Sequence, residues 1–197
     1  CSYEEGGSLE EQDYLKGNPL ESLYEYGMTK RMLLVGQQSF SKQFGLKYLT
    51  FVPSTLYGPG YDISTKIPHF IFDLIKKILK GKKYGIKVEL WGNGMQKREL
   101  VHVNDFVKQM ILIEKKLDNE IVNLGAGVEY EIKHFAKLIC EVVKYDHSKI
   151  FYNKEKYVGA LSKNLDIKKK NRLLPDYKQI SLADGLKETI LDIEKKI

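Results

Sequence analysis

Cysteine is almost missing from this sequence: Cys1 and Cys140 are the only two in 197 residues, too few for a disulfide framework. No stretch approaches the ~20 apolar residues of a membrane span, and no basic-then-apolar leader stands at the start. Arginine is scarce, with only Arg31, Arg98 and Arg172, and Trp91 is the single tryptophan. The glycine-rich strand-turn-helix fingerprint of a dinucleotide site is lacking, and no Cys/His/Asp cluster has metal-ligand spacing. Together these absences exclude a disulfide scaffold, a helical membrane protein and a structural zinc module. A cytoplasmic location is the expectation.

What is present is a chain that can build a core, 43% apolar with a formal charge of +6. The lysines fall in short scattered runs at Lys76-Lys77, Lys82-Lys83, Lys115-Lys116 and Lys168 to Lys170. Without interleaved aromatics or a reader motif these are solvated faces, and no nucleic-acid partner is expected.

The organising stretch is Leu23 to Met32, where Tyr26 and Lys30 stand four residues apart at the start of a helix and so share a face. An ammonium beside a phenol stabilises the phenolate, which suits proton transfer to or from a carbonyl oxygen. Spacing alone is weak, since Tyr145/Lys149 and Tyr152/Lys156 repeat it and about two such matches arise by chance. Context separates the first pair. An amphipathic helix follows with Leu33, Gly36, Phe40 and Phe44 on one stripe and Gly45 ending it. Then Leu46 to Val52 reads as a strand closing in Pro53-Ser54-Thr55-Leu56-Tyr57-Gly58-Pro59. A strand end opening into a Pro/Gly turn beside such a helix is where an open α/β sheet holds a ligand.

The run from Tyr26 to Pro59 resembles the active-site segment of the extended short-chain dehydrogenase/reductases, a family of nucleotide-sugar epimerases, dehydratases and reductases. Within it the chain is most similar to the GDP-L-fucose synthase group. Further anchors are Cys1-Ser2-Tyr3, His69 to Lys77, and Trp91-Gly92-Asn93-Gly94 followed by Arg98-Glu99. The resemblance implies an α/β fold: the C-terminal part of a Rossmann-type doubly wound parallel sheet with a smaller α/β substrate domain. Residues 1-57 would belong to the NAD(P)-binding domain and 58-197 mainly to the substrate domain, with 99-125 contributing to the Rossmann sheet. The N-terminal half of the family is then expected to be missing.

By the same resemblance the catalytic set is Tyr26, Lys30, Cys1 and His69, with Cys1 and His69 as the acid/base pair of epimerisation. Cofactor contacts are expected from Tyr26, Lys30, Pro53, Ser54, Thr55, Leu56 and His69, and substrate contacts from Lys77, Trp91 and Arg98. The implied reaction is NADPH-dependent epimerisation and reduction of a GDP-4-keto-6-deoxyhexose, with NAD as the alternative cofactor and a homodimer as the usual assembly. Alternatives are another nucleotide-sugar 4-epimerase, 4-reductase or dehydratase of the same superfamily, or a sugar-nucleotide binding protein. An acidic substrate ligand of the family would fall near Val158, where this chain has no carboxylate.

For several of these residues the chemistry also has a plain reading. Cys1 could be a core thiol, His69 a capping or half-buried ring, Lys77 a surface lysine, Trp91 core, and Arg98 a surface ion pair with Glu99. Asn104 is expected to cap a helix with Val107, Met110, Ile111 and Ile113 inward; His102 reads as structural. Gly125-Ala126-Gly127 closes a buried strand and is no phosphate loop. Ile132 to Val143 forms an apolar helix that buries Cys140, and Ser181 with Asp184 opens the last helix as a capping box.

Overall fold

The structure is a computed structural model describing residues 3, 8-66, 68-156 and 160-197. Cys1 and Val158 lie outside the described residues. Two bodies of unequal completeness make up the fold.

The larger core is helical. Among the described residues, helices α1 (Tyr24–Phe44), α2 (Phe70–Tyr84), α3 (Val103–Glu114), α4 (Ile132–Val143), α5 (Lys168–Leu173) and α6 (Leu182–Glu194) are interspersed with nine short strands. In α2 the buried residues Ile71, Leu74, Ile75, Ile78 and Leu79 recur at helical spacing, and α4 answers with Phe135, Ala136, Ile139, Cys140 and Val143. From α6 come Leu186, Ile190 and Ile193. All three helices meet in one cluster, closed by Val88 and Leu90. Each fully buried Ile or Leu there contributes about 1.5–3 kcal/mol. Ser181 caps α6 as expected, accepting the Asp184 N–H at 3.1 Å. Cys140 is core, and burial pushes its thiol pKa up to about 11, which leaves it inert.

Strands β2 (Leu49–Pro53) and β6 (Glu120–Leu124) pair in parallel from Leu49 opposite Glu120 to Pro53 opposite Leu124. After a one-residue step, β3 (Thr55–Tyr57) pairs in parallel with β5 (Lys97–His102), whose other edge takes β7 (Glu129–Glu131) antiparallel. Strand β4 (Glu89–Trp91) runs parallel to β8 (Phe151–Asn153), and β1 (Ser8–Leu9) parallel to β9 (Asn164–Leu165). The Gly92-Asn93-Gly94 turn is thus no hairpin, because β4 and β5 enter different sheets.

Four expectations change. On α1 the buried face is Gly27, Arg31 and Leu34, while Leu33, Phe40 and Phe44 are exposed, since nothing among the described residues covers them. On α3 it is His102, not Asn104, that caps: the ring Nδ1 accepts the Asn104 N–H at 3.3 Å, and Asn104 sits in the first turn. The same helix turns Asp105, Gln109 and Ile113 inward and exposes Val107 and Ile111. Nor is Lys170 solvated; it is 5% exposed and donates to the Gly125 carbonyl at 3.2 Å.

Candidate functional site

Because Gly27, Arg31 and Leu34 face inward, Tyr26 and Lys30, each one step earlier, ride the adjoining edge of α1. Tyr26 is 54% exposed, and the Lys30 ammonium lies 5.4 Å from its ring centroid, within cation–π reach. Helix rotation is fixed by Arg31, which donates to the Gly17 and Lys16 carbonyls, both at 2.7 Å. The rival pairs do not survive folding. Tyr145 follows the end of α4 with Lys149 in a 3-10 turn, and Tyr152 lies in β8 with its hydroxyl 3.3 Å from His147 Nε2. Neither pair shares a helix.

Pro53 to Leu56 carry the chain from β2 to β3 at the C-terminal end of β2. Pro53 stands opposite Leu124, Thr55 opposite Leu100, and Leu56 opposite Val101. Between them the Ser54 N–H donates to the Leu124 carbonyl at 3.3 Å. The Ser54 hydroxyl is buried and has no hydrogen-bond partner among the described residues. A buried hydroxyl left unpaired costs about 1–3 kcal/mol, so its position at a strand end suits an incoming ligand group.

His69 occupies the N-cap position of α2, yet its ring makes no cap bond and is exposed. It is therefore neither capping nor buried. Two turns on, Lys77 is paired with Asp73 at 2.8 Å. Trp91 ends β4 and is 55% exposed, so it is not a core residue. Arg98 is part-buried, and Nη1 donates to the Lys97 and Ala160 carbonyls, both at 2.7 Å. No ion pair joins it to Glu99: alternation along β5 puts the two on opposite faces, and Glu99 is 2% exposed.

Glu99 is what sequence reasoning missed. Its carboxylate accepts the Gly127 N–H at 2.6 Å and the Leu165 N–H at 3.0 Å. Burial raises its pKa against the opposing effect of these N–H groups and of Ala126, and burial lowers that of nearby Lys170. The Gly125–Gly127 turn is thus filled by an internal carboxylate. Gly125 permits it, since a Cβ there would stand 2.3 Å from Glu99 Oε1. Alternation in β5 and the paired glycines after β6 were the available signals. Asn123 was also passed over; it accepts the Tyr3 hydroxyl at 2.6 Å and donates to the Leu9 carbonyl at 2.8 Å. Separately, a cavity of about 190 Å³ lined by Tyr57, His102, Asp105 and Gln179, among others, includes none of the expected site residues.

The profile described as the NAD dependent epimerase/dehydratase family matches residues 1-125. A probable GDP-L-fucose synthase 1 of Oryza sativa subsp. japonica is 31% identical over 182 residues, 90% of this chain and 55% of that protein. The GDP-L-fucose synthase of Escherichia coli (strain K12) is 27% identical over 193 residues, 92% of this chain and 59% of that protein. Among solved structures, a GDP-L-fucose synthetase from Naegleria fowleri superposes with a TM-score of 0.90 at 19% identity, over 99% of this chain and 63% of that one. Its form bound to NADP gives a TM-score of 0.87 at 20% identity, over 94% and 60%. The fold is therefore that of the Rossmann-type epimerases and reductases. This chain spans about half the length of the curated relatives it matches. With the profile covering well over half of its residues, the chain belongs to the NAD dependent epimerase/dehydratase family.

Proposed function

We propose that the protein containing this chain is an NADPH-dependent epimerase/reductase acting on a GDP-4-keto-6-deoxyhexose, in nucleotide-sugar biosynthesis. The observation that carries the reading is the Tyr26/Lys30 pair on the open edge of α1, in a chain whose curated relatives are named GDP-L-fucose synthases. In this reading a ketone at C4 acidifies the hydrogens at C3 and C5. Cys1 and His69 then move protons at those carbons through an enolate. Tyr26 protonates O4, and the Lys30 charge stabilises the phenolate that remains. The bound nicotinamide supplies the hydride that reduces C4.

The residues present fit that cofactor: the unpartnered Ser54 hydroxyl and the Pro53–Leu56 step offer polar and apolar contacts at the strand ends. Arg98 would grip the diphosphate and Trp91 pack the sugar or base, with Lys77 exchanging Asp73 for the ligand. NAD is the alternative cofactor. Domain limits near residue 57, a cytoplasmic location and a homodimer belong to the same proposal. No helix among the described residues is long and apolar enough to cross a membrane.

The test joins this chain to the upstream nucleotide-binding half of its family and supplies GDP-4-keto-6-deoxymannose and NADPH in D₂O. Loss of NADPH absorbance with deuterium at both C3 and C5 is expected. Tyr26→Phe should abolish cofactor oxidation; unchanged turnover would remove Tyr26 from the chemistry, and no turnover by the unsubstituted protein would favour a sugar-nucleotide binder. Oxidation without exchange would leave a plain 4-reductase.

A further inference from the structure

Residues 160-165 cross the β5–β7 pair as a strap, and side chains of that pair hold it along its length. Arg98 donates to Ala160 O and the Lys97 N–H to Leu161 O, each at 2.7 Å. Glu129 accepts the Ser162 hydroxyl at 2.7 Å and the Lys163 N–H at 2.6 Å. Glu99 accepts the Leu165 N–H at 3.0 Å and, with its other oxygen, the Gly127 N–H at 2.6 Å. One buried carboxylate thus joins the strap to the turn after β6.

We propose that Glu99 and Glu129 together are positioning residues for Arg98, and through it for the diphosphate of a nucleotide sugar. This inference rests on the function proposed above. Glu99 and Glu129 stand directly opposite each other on the antiparallel pair, an arrangement that by itself repels. Here each takes N–H donors from the strap, and Lys170 brings opposite charge beside Glu99. The strap in turn sets Arg98. Its Nη1 is spent on the Lys97 and Ala160 carbonyls, and among the described residues nothing hydrogen-bonds Nε or Nη2. Those donors are left to grip phosphate oxygens. Release of the strap removes the Ala160 anchor, and the guanidinium loses its aim.

Trp91 supplies the readout, being the only tryptophan, exposed at the end of β4, and in the same chain segment as Arg98. This chain is titrated with GDP while Trp91 fluorescence is followed, well below the melting temperature. Glu99→Gln and Glu129→Ala should each weaken GDP by roughly tenfold, the effect of one lost charge-assisted hydrogen bond. Glu129→Gln, which keeps an acceptor for the Lys163 N–H, should restore part of the loss. Ser181→Ala serves as the control, lowering the melting temperature through α6 without moving the GDP constant. If Glu99→Gln fails to fold, the Glu129 series decides. GDP constants unchanged in the glutamate variants, with melting temperatures lowered, would overturn the positioning role and leave the proposed function standing. No response to GDP either from this chain or from the chain joined to the upstream half, as in the test above, would overturn both.

Discussion

The body built on α2, α4 and α6 closes on itself, whereas the body built on α1, β2 and α3 does not. In the first, Ile71, Ile75, Phe135, Ile139, Leu186 and Ile190 are at most 1% exposed. In the second, every residue of β2 is only half-buried, and Met32, Leu33, Phe40, Phe44, Val107 and Ile111 lie open to solvent. Apolar patches of that kind mark surfaces made to be covered. The contrast teaches that the two bodies solve different problems. One is a finished core, and the other leaves apolar side chains uncovered among the described residues, on the same helix that carries the proposed proton-transfer pair.

The largest effect should come from breaking the finished side. Phe135→Ala removes a ring packed against Phe70 and Tyr130 and should cost about 3–5 kcal/mol in urea unfolding. A loss below about 1 kcal/mol would mean this core is less tightly closed than the contrast requires. A smaller effect is expected at the seam between the bodies. Gly125→Ala drives a methyl into the Glu99 carboxylate and should cost about 1–3 kcal/mol, read from the same unfolding curve. Smallest of all, Phe40→Ser combined with Phe44→Ser should change stability by less than about 0.5 kcal/mol. That double variant should nonetheless lower self-association in sedimentation, because the two rings, tilted 45° to each other with centroids 5.5 Å apart, both lie open to solvent.

Sequence periodicity served well where the covering partner lies in the same chain. The stripes of α4 and α6 pointed inward because α2 is there to receive them. On α1 and α3 an apolar stripe was equally visible, but which face is buried depends on atoms that periodicity does not contain. Local turn chemistry was similarly silent about destination. Gly92 and Gly94 mark a turn, with φ of 79° and 75°, yet nothing in them says that β4 and β5 part company. For the site, Tyr26 and Lys30 were legible because a helix fixes the geometry of residues four apart. Glu99 was not, since its neighbours Gly127 and Leu165 come from distant parts of the chain. Lys170 was hidden for the same reason, in a run of three lysines whose members differ only in where the fold turns them.

Asn123 ties the first described residues to the last third of the chain. Its side chain takes the Tyr3 hydroxyl, 120 residues away in sequence, and reaches both the Leu9 and Asp166 carbonyls. During synthesis, then, Tyr3 and Leu9 leave the ribosome well before Asn123, the residue that ties them down. At about 5–20 residues per second, the 120 residues between Tyr3 and Asn123 take on the order of ten seconds, during which neither Tyr3 nor Leu9 has the side chain that binds it.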